Sequence, residues 1–212
     1  MEVCFMNWTL FFQALGAISS FLILAQLILS FFQKKKEHEE QRRQKTVDVL
    51  LEWNRSLERE TSLAEKIVEK FNQEQCRKLC RQEKFLVDKE AKKALCQICS
   101  DKHCENCDYK ETCDKTEYEV SDRQLLELRW YVISYLNTLE TVLVAWQQGT
   151  VDRKVIEHEF SYLYSRENGW DVLSAFRDAA GGTKAFPVIE AFIFTLKENE
   201  AKKNKLKIKY GL

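Results

Sequence analysis

Residues 3–33 carry no charged side chain, and that gap constrains the chain more than anything else in it. Only Glu2 precedes it, so every other acidic or basic residue falls within 34–212, where such residues make up about 36%. Inside the gap, Trp8–Phe32 reads WTLFFQALGAISSFLILAQLILSFF. A helix of that length, at about 1.5 Å per residue, measures roughly 37 Å and can cross a hydrocarbon core of about 30 Å with some tilt. A cleaved signal peptide needs a basic leading segment, a shorter apolar run and a small-residue cleavage site. Residues 1–7 hold no Lys or Arg, and Lys34-Lys35-Lys36 follow the run instead. The sequence therefore predicts a retained transmembrane helix over 8–32. Lys34, Lys35, Lys36, Arg42, Arg43 and Lys45 flank its C-terminal side alone, and a basic flank stays cytoplasmic. Residues 1–7 are accordingly expected outside the membrane and the rest of the chain within the cytoplasm.

The polar residues of this helix are not scattered. At about 100° per residue, Thr9, Gln13, Gly16, Ser19, Ser20, Gln26, Ser30 and Gln33 fall on one side, and the opposite arc holds only apolar residues. Amides and hydroxyls facing lipid go unsatisfied, so the stripe calls for another helix or for water. A chain with one span must find that helix in another copy or another protein. Two readings follow, a packed homo-oligomeric anchor and a ring whose polar face lines a pore. No ring of charge marks an ion filter.

The remainder reads as all-α. The chain has only six Gly and one Pro, too few breakers for a fold of many short strands. Residues 34–72 contain neither, and Val47, Leu50, Leu51, Leu57, Ala64, Ile67, Val68 and Phe71 recur at helical spacing, which predicts one long helix. A second helix is predicted over 74–95, the two forming a stalk with linker helices over 33–95. A Cys-rich, turn-rich loop spans 96–116. A helical domain follows over 117–200. In it Ser121 caps a helix to about Gln148, with Leu125, Leu128, Val132, Tyr135, Leu136, Leu139, Val142 and Trp146 on its apolar face and Gly149 at its end. Asp152 caps a helix to about Ser165, Asn168-Gly169 forms a turn, and helices near 170–180 and 187–200 flank Gly181-Gly182, with Pro187 in a first turn. The basic tail, 201–212, can touch anionic lipid or RNA, or simply be solvated. The formal net charge of zero argues against a general polyanion binder.

Seven of the eight Cys fall between 76 and 113. Cys96/Cys99 and Cys104/Cys107 form two CxxC pairs, a spacing that suits thiolate ligation of a structural zinc ion in a reducing compartment, where stable disulfides are disfavoured. The pair Cys96/Cys99 can instead combine with Cys76/Cys80, spaced i,i+4 on a helix, and His103 is a further candidate ligand. Free thiols and a redox role are the alternatives.

Within DRKVIEHEF, Arg153 and His158 are separated by four residues on a predicted helix. Arg and His at this kind of spacing mark HEPN ribonuclease-like domains. There His moves the proton of a 2′-OH or leaving oxygen, and Arg stabilises phosphorane charge without metal. An exposed salt-linked pair is the plainer alternative. The whole arrangement, with its lone N-terminal span, basic flank, long helix and helical domain carrying Arg153 and His158, resembles the small membrane accessory proteins of type VI-B CRISPR systems. The segment YLNTLETVLVAWQQGTVDRKVIEHEF also resembles a widespread, uncharacterised helical bacterial family. The resemblance to the CRISPR accessory proteins implies an all-α, ring-forming homo-oligomer, an octamer, in the bacterial inner membrane, N-terminus out, with a cytoplasmic HEPN-like bundle. It implies a pore that strengthens antiviral defence by depolarising that membrane when a partner, an RNA-guided RNA-cleaving effector, detects phage RNA. Lys154 stands where active HEPN members commonly carry Asn, Asp or His, so Arg153 and His158 are expected to serve assembly at least as much as chemistry. The alternatives are a membrane-tethered, metal-independent ribonuclease acting on RNA through those two residues, and a membrane scaffold that recruits a soluble defence effector.

Overall fold

Helix α5 (Asp122–Gln147) is built by the strongest local signals in the chain, and the rest of the fold packs on it. Ser121 and Gln124 close a capping box: Ser121 Oγ accepts from the Gln124 N–H at 3.3 Å, and Gln124 Oε1 accepts from the Ser121 N–H at 3.2 Å. All eight apolar residues expected on one face are buried, joined by Leu143. Gly149, at φ +69°, turns the chain out of the helix in the left-handed region that glycine enters without strain.

The computed structural model describes residues 2–98, 117–165 and 170–210, with side chains over 21–98, 117–165 and 171–202. The chain divides into two units, Met1–Lys45 and Thr46–Leu212. The fold is all-α: α1 (Glu2–Ser56), α2 (Arg59–Val68), α3 (Gln73–Arg81), α4 (Lys89–Ile98), α5, α6 (Arg153–Glu159), α7 (Ser174–Ala180) and α8 (Pro187–Tyr210). Two short antiparallel strand pairs join them, β1 (Leu86–Asp88) with β2 (Glu117–Glu119), and β3 (Tyr164–Ser165) with β4 (Trp170–Asp171).

In the first unit, the nine large apolar side chains between Phe21 and Phe32 are 49–71% exposed. Among the described residues no helix is long and apolar enough to cross a membrane. Of the stripe predicted on the span, Gln26 and Ser30 are exposed, while Thr9, Gln13, Gly16, Ser19 and Ser20 lie outside the described side chains.

In the second unit, α2, α3, α4 and α8 all pack against α5, and α3 packs against α7. Residues 46–95, expected as stalk and linker helices, thus share one core with the domain expected over 117–200. Trp53 is buried with its ring 5.5 Å from Tyr135 and 5.3 Å from Phe160, and Trp146 meets Phe192 at 4.9 Å.

Several helix bounds differ from the expected ones. The helix expected through 34–72 breaks after Ser56 without Gly or Pro. Ser56 Oγ turns back onto the Trp53 carbonyl at 2.8 Å and Glu58 takes extended backbone, which lets Ala64, Ile67 and Val68 of α2 face the core. Val47 and Leu51, expected on the apolar face, are 51% and 48% exposed. The helix expected over 74–95 is two. Gln82 ends α3 at φ +60°, and the segment after it pairs as β1 with β2 before Asp88 Oδ1 accepts the Ala91 N–H at 2.7 Å and starts α4. The helix from Asp152 stops at Glu159, short of Ser165, because Tyr164–Ser165 pairs with β4. Pro187 does open a helix, and α8 runs through Tyr210, into the expected tail. Asn168-Gly169 lies outside the described residues.

Candidate functional site

The turn between α5 and α6 carries the Arg153/His158 pair. The turn is tightly made. The Thr150 N–H donates to the Ala145 carbonyl at 3.1 Å, and Val151 is fully buried. Asp152 caps α6 by accepting from the N–H groups of Lys154 and Val155. Its own N–H donates to Oγ1 of the buried Thr46 at 2.7 Å, which ties the turn to the α1 residues of the same unit.

Arg153 is spent on this turn. Its Nε donates to the Trp146 carbonyl at 3.0 Å and its Nη2 to the Gln147 carbonyl at 2.6 Å, and the guanidinium lies 5.7 Å from the Trp146 ring. It thus neutralises the carbonyl end of α5, where a cation is favoured by the helix dipole. The indole Nε1 of Trp146 donates to Glu157 at 3.1 Å, so a carboxylate and a guanidinium hold one ring. His158 is exposed, and its carbonyl accepts from Ser161 Oγ at 2.8 Å. Five steps of about 100° set the two side chains roughly 140° apart around a helix. Arg153 turns back to α5 while His158 is exposed to solvent, and no hydrogen bond joins them among the described residues.

Of the candidate zinc ligands, Cys96 lies near the end of α4, and its Sγ accepts from Gln124 Nε2 at 3.8 Å. Cys99, His103, Cys104, Cys107 and Cys113 lie outside the described residues. Among the described residues no cluster of three or more ligand side chains could hold a metal ion. Cys76 and Cys80 are free thiols packed inside the unit. Burial pushes the Cys76 thiol up to about 12, with Cys80 and Glu69 adding to the effect. Burial raises Cys80 too, against the opposing pull of Arg129. Neither is a ready thiolate.

The structure also holds groups that no motif announced. Arg177 on α7, 2% exposed, donates to Asp171 Oδ1 and Glu190 Oε1, each at 2.9 Å, and to the Val172 carbonyl. Lys197 reaches the other Asp171 oxygen at 3.3 Å and covers the Tyr164 ring at 5.1 Å. One guanidinium thereby ties β4, α7 and α8 together. Glu140 of α5 accepts from the N–H groups of Val188 and Ile189, at 2.8 and 2.9 Å, and anchors the start of α8. Glu65 of α2 and Glu69, which caps its end, sit one turn apart. Burial, then the charge of Glu69, raises Glu65, with Lys66 opposing. Glu69 accepts the N–H of Leu173 at 2.5 Å and so supports that residue's φ of +47°. An arginine between Phe176 and Asp178 gives no sequence signal of burial, since only its tertiary partners make burial tolerable.

The fold and the turn define a helical unit in which the guanidinium of Arg153 donates to the carbonyl end of α5. Residues 20–179 match the family described as "Domain of unknown function (DUF4760)", about three quarters of the chain, and the protein belongs to that family. No curated protein and no solved structure matches it.

Proposed function

We propose that this protein is a membrane-anchored, self-associating protein that permeabilises the bacterial inner membrane, with Thr46–Leu212 as its cytoplasmic helical, HEPN-like unit. The observation that carries the reading is the row of exposed large side chains from Phe21 to Phe32, followed at once by Lys34, Lys35 and Lys36. Leaving nine such side chains in water costs on the order of 10 kcal/mol, so a cover is required. In sequence the row is the second half of the uncharged run from Trp8. Lipid suits its apolar arc, and the arc carrying Gln13, Gln26 and Ser30 suits water or another copy. In the defence setting that the resemblance implies, an RNA-guided effector triggers the opening of a ring of such copies.

We favour this over the ribonuclease reading because the guanidinium of Arg153 donates to the carbonyls of Trp146 and Gln147, contacts it must leave to meet a phosphate. The test is dye release from liposomes carrying the inserted full-length protein. Small dyes are expected to leak, and leakage is expected to stop when 8–32 are replaced by a polyleucine span. Intact liposomes containing an inserted oligomer overturn the permeabilising role; leakage that survives the polyleucine span overturns the role of the stripe.

A further inference from the structure

Helix α1 runs without a break from Glu2 to Ser56, so the charged segment after the apolar row continues the same rod, and every side chain of 34–45 is exposed. Its charges are sorted by side. Counted at about 100° per residue from Gln13, the six Lys and Arg of 34–45 fall on an arc of about 200° that holds one acidic residue, Glu39. The remaining arc holds Glu37, Glu40, Gln41 and Gln44 and no basic residue. Arg42 and Lys35 sit at about 20° and about 40°, Glu40 and Glu37 at about 180° and about 240°. The polar stripe expected on the span, counted the same way, centres at about 280°, so Arg42 and Glu40 lie about 100° to either side of it.

We propose that α1 of neighbouring copies stand side by side just inside the membrane, with Arg42 and Lys35 of one copy paired to Glu40 and Glu37 of the next. The sorting of charge selects this occupant. Each copy carries both halves of the pairing on different sides of one helix. That makes a head-to-tail contact, which repeats around a ring and does not close at two copies. A ring that turns the stripe inward brings these two flanks of each helix against its two neighbours. Copies that cross one bilayer are held at one depth, so their helices stand in register. Arg42 is then about 3 Å further from the membrane than Glu40 of its neighbour, and Lys35 about 3 Å nearer than Glu37, offsets that a long side chain spans. Lipid does not account for the pattern. Arg42 stands about 15 Å beyond Phe32, whereas the headgroup layer is about 5–8 Å deep and takes in Lys34–Lys36 only. A nucleic acid uses the basic arc and leaves the acidic one without a role. Glu40 does meet Lys36 within its own helix, at 3.9 Å, but these side chains are 66% and 80% exposed, and an exposed pair of this kind is weak enough to exchange for another partner. The inference rests on the proposed gathering of copies and names the charges that hold it outside the span.

The test is the mass of the full-length protein in mild micelles at low ionic strength, where exposed charge pairs are least screened. Lys35→Glu/Arg42→Glu and Glu37→Lys/Glu40→Lys are each expected to lose at least half of the multi-copy species. The melting curve is expected to stay unchanged, because all four positions are exposed. Joining the four changes in one chain exchanges the two flanks and is expected to restore the wild-type mass, as is co-expression of the two double variants. Wild-type mass in both double variants overturns the proposal; if the mass then falls only when 8–32 become polyleucine, copies gather through the span and the membrane reading survives without this one. Loss that neither the four-change chain nor co-expression restores also overturns it. Loss confined to Lys35→Glu/Arg42→Glu does the same, since it assigns the basic arc to anionic headgroups. A wild-type monomer removes this contact and the gathering of copies together. Restored mass in the four-change chain with intact wild-type liposomes supports the α1 contact and removes the pore.

Discussion

Arg153 and Arg177 sit in two corners of one helical unit and invert what their sequence surroundings promise. Arg153 belongs to a recognisable spacing with His158, yet its guanidinium caps the end of α5 from the surface. Arg177 belongs to no motif, yet it is the most deeply buried charge in the described structure and joins β4, α7 and α8 through Asp171, Glu190 and the Val172 carbonyl. A guanidinium at a helix end keeps much of its hydration and adds modest stability. A guanidinium inside the unit has exchanged all of its hydration for fixed acceptors, so its partners cannot be removed without leaving a charge unpaired.

The largest effect therefore belongs to the buried corner. Arg177→Met leaves Glu190 without its cation and Asp171 with Lys197 alone, and is expected to cost about 3–5 kcal/mol in denaturant unfolding. Adding Glu190→Gln to that variant is expected to recover part of the loss, because it removes the stranded charge. A loss below about 1 kcal/mol for Arg177→Met breaks the contrast. Next in size is Glu140, which joins the same α8 to α5. Glu140→Ala strands the N–H groups of Val188 and Ile189, both buried, and is expected to cost roughly 2 kcal/mol, with Glu140→Gln costing less.

How much of this was legible follows the same division between local and tertiary causes. The buried face of α5, its Ser121 cap, its Gly149 end, the Asp152 cap of α6 and the Pro187 start of α8 are written in short-range patterns, and the structure has all of them. The breaks at Ser56 and Gln82 are not so written, since neither uses Gly or Pro. They occur where the chain must turn its next apolar face inward, and helical periodicity reads straight through them. The two strand pairs are two or three residues long, too short for an alternation to show. The site was legible only in part. The spacing of Arg153 and His158 could be read, but the direction of each side chain depends on where α5 ends, and the Arg177 cluster depends on three segments meeting.

The smaller effects sharpen the surface side of the comparison. Arg153→Ala is expected to cost roughly 1 kcal/mol, the net worth of its bonds to the α5 carbonyls, while Arg153→Lys keeps part of it as a dipole-facing cation. Glu65 is intermediate between the two corners. Its folded carboxyl is held above the usual range, chiefly by burial and then by Glu69, so the unfolded chain releases that proton first. The stability tied to neutral Glu65 is therefore present below the ordinary carboxylate range and lost as pH rises through the raised value. A pH series of melting temperatures is expected to show this fall, and Glu65→Gln is expected to flatten it.

The smallest expected effect is at His158, and it decides how the Arg153 spacing is to be understood. The side chain is exposed, and the residue's one recorded bond, from Ser161 Oγ, uses its carbonyl. His158→Ala is therefore expected to change stability by less than about 0.5 kcal/mol, the range of an ordinary surface substitution. With Arg153 committed to the end of α5, His158→Ala is also expected to leave RNA turnover where the wild-type protein has it, at background, in metal-free buffer. Metal-independent cleavage by the wild type that both His158→Ala and Arg153→Ala abolish, in variants that stay folded at the assay temperature, would show that the guanidinium leaves its carbonyls to meet a phosphate. The comparison with Arg177 would then be one between a mobile arginine and a fixed one, since two helix-end hydrogen bonds of net worth near 1 kcal/mol are weak enough for a charged ligand to displace.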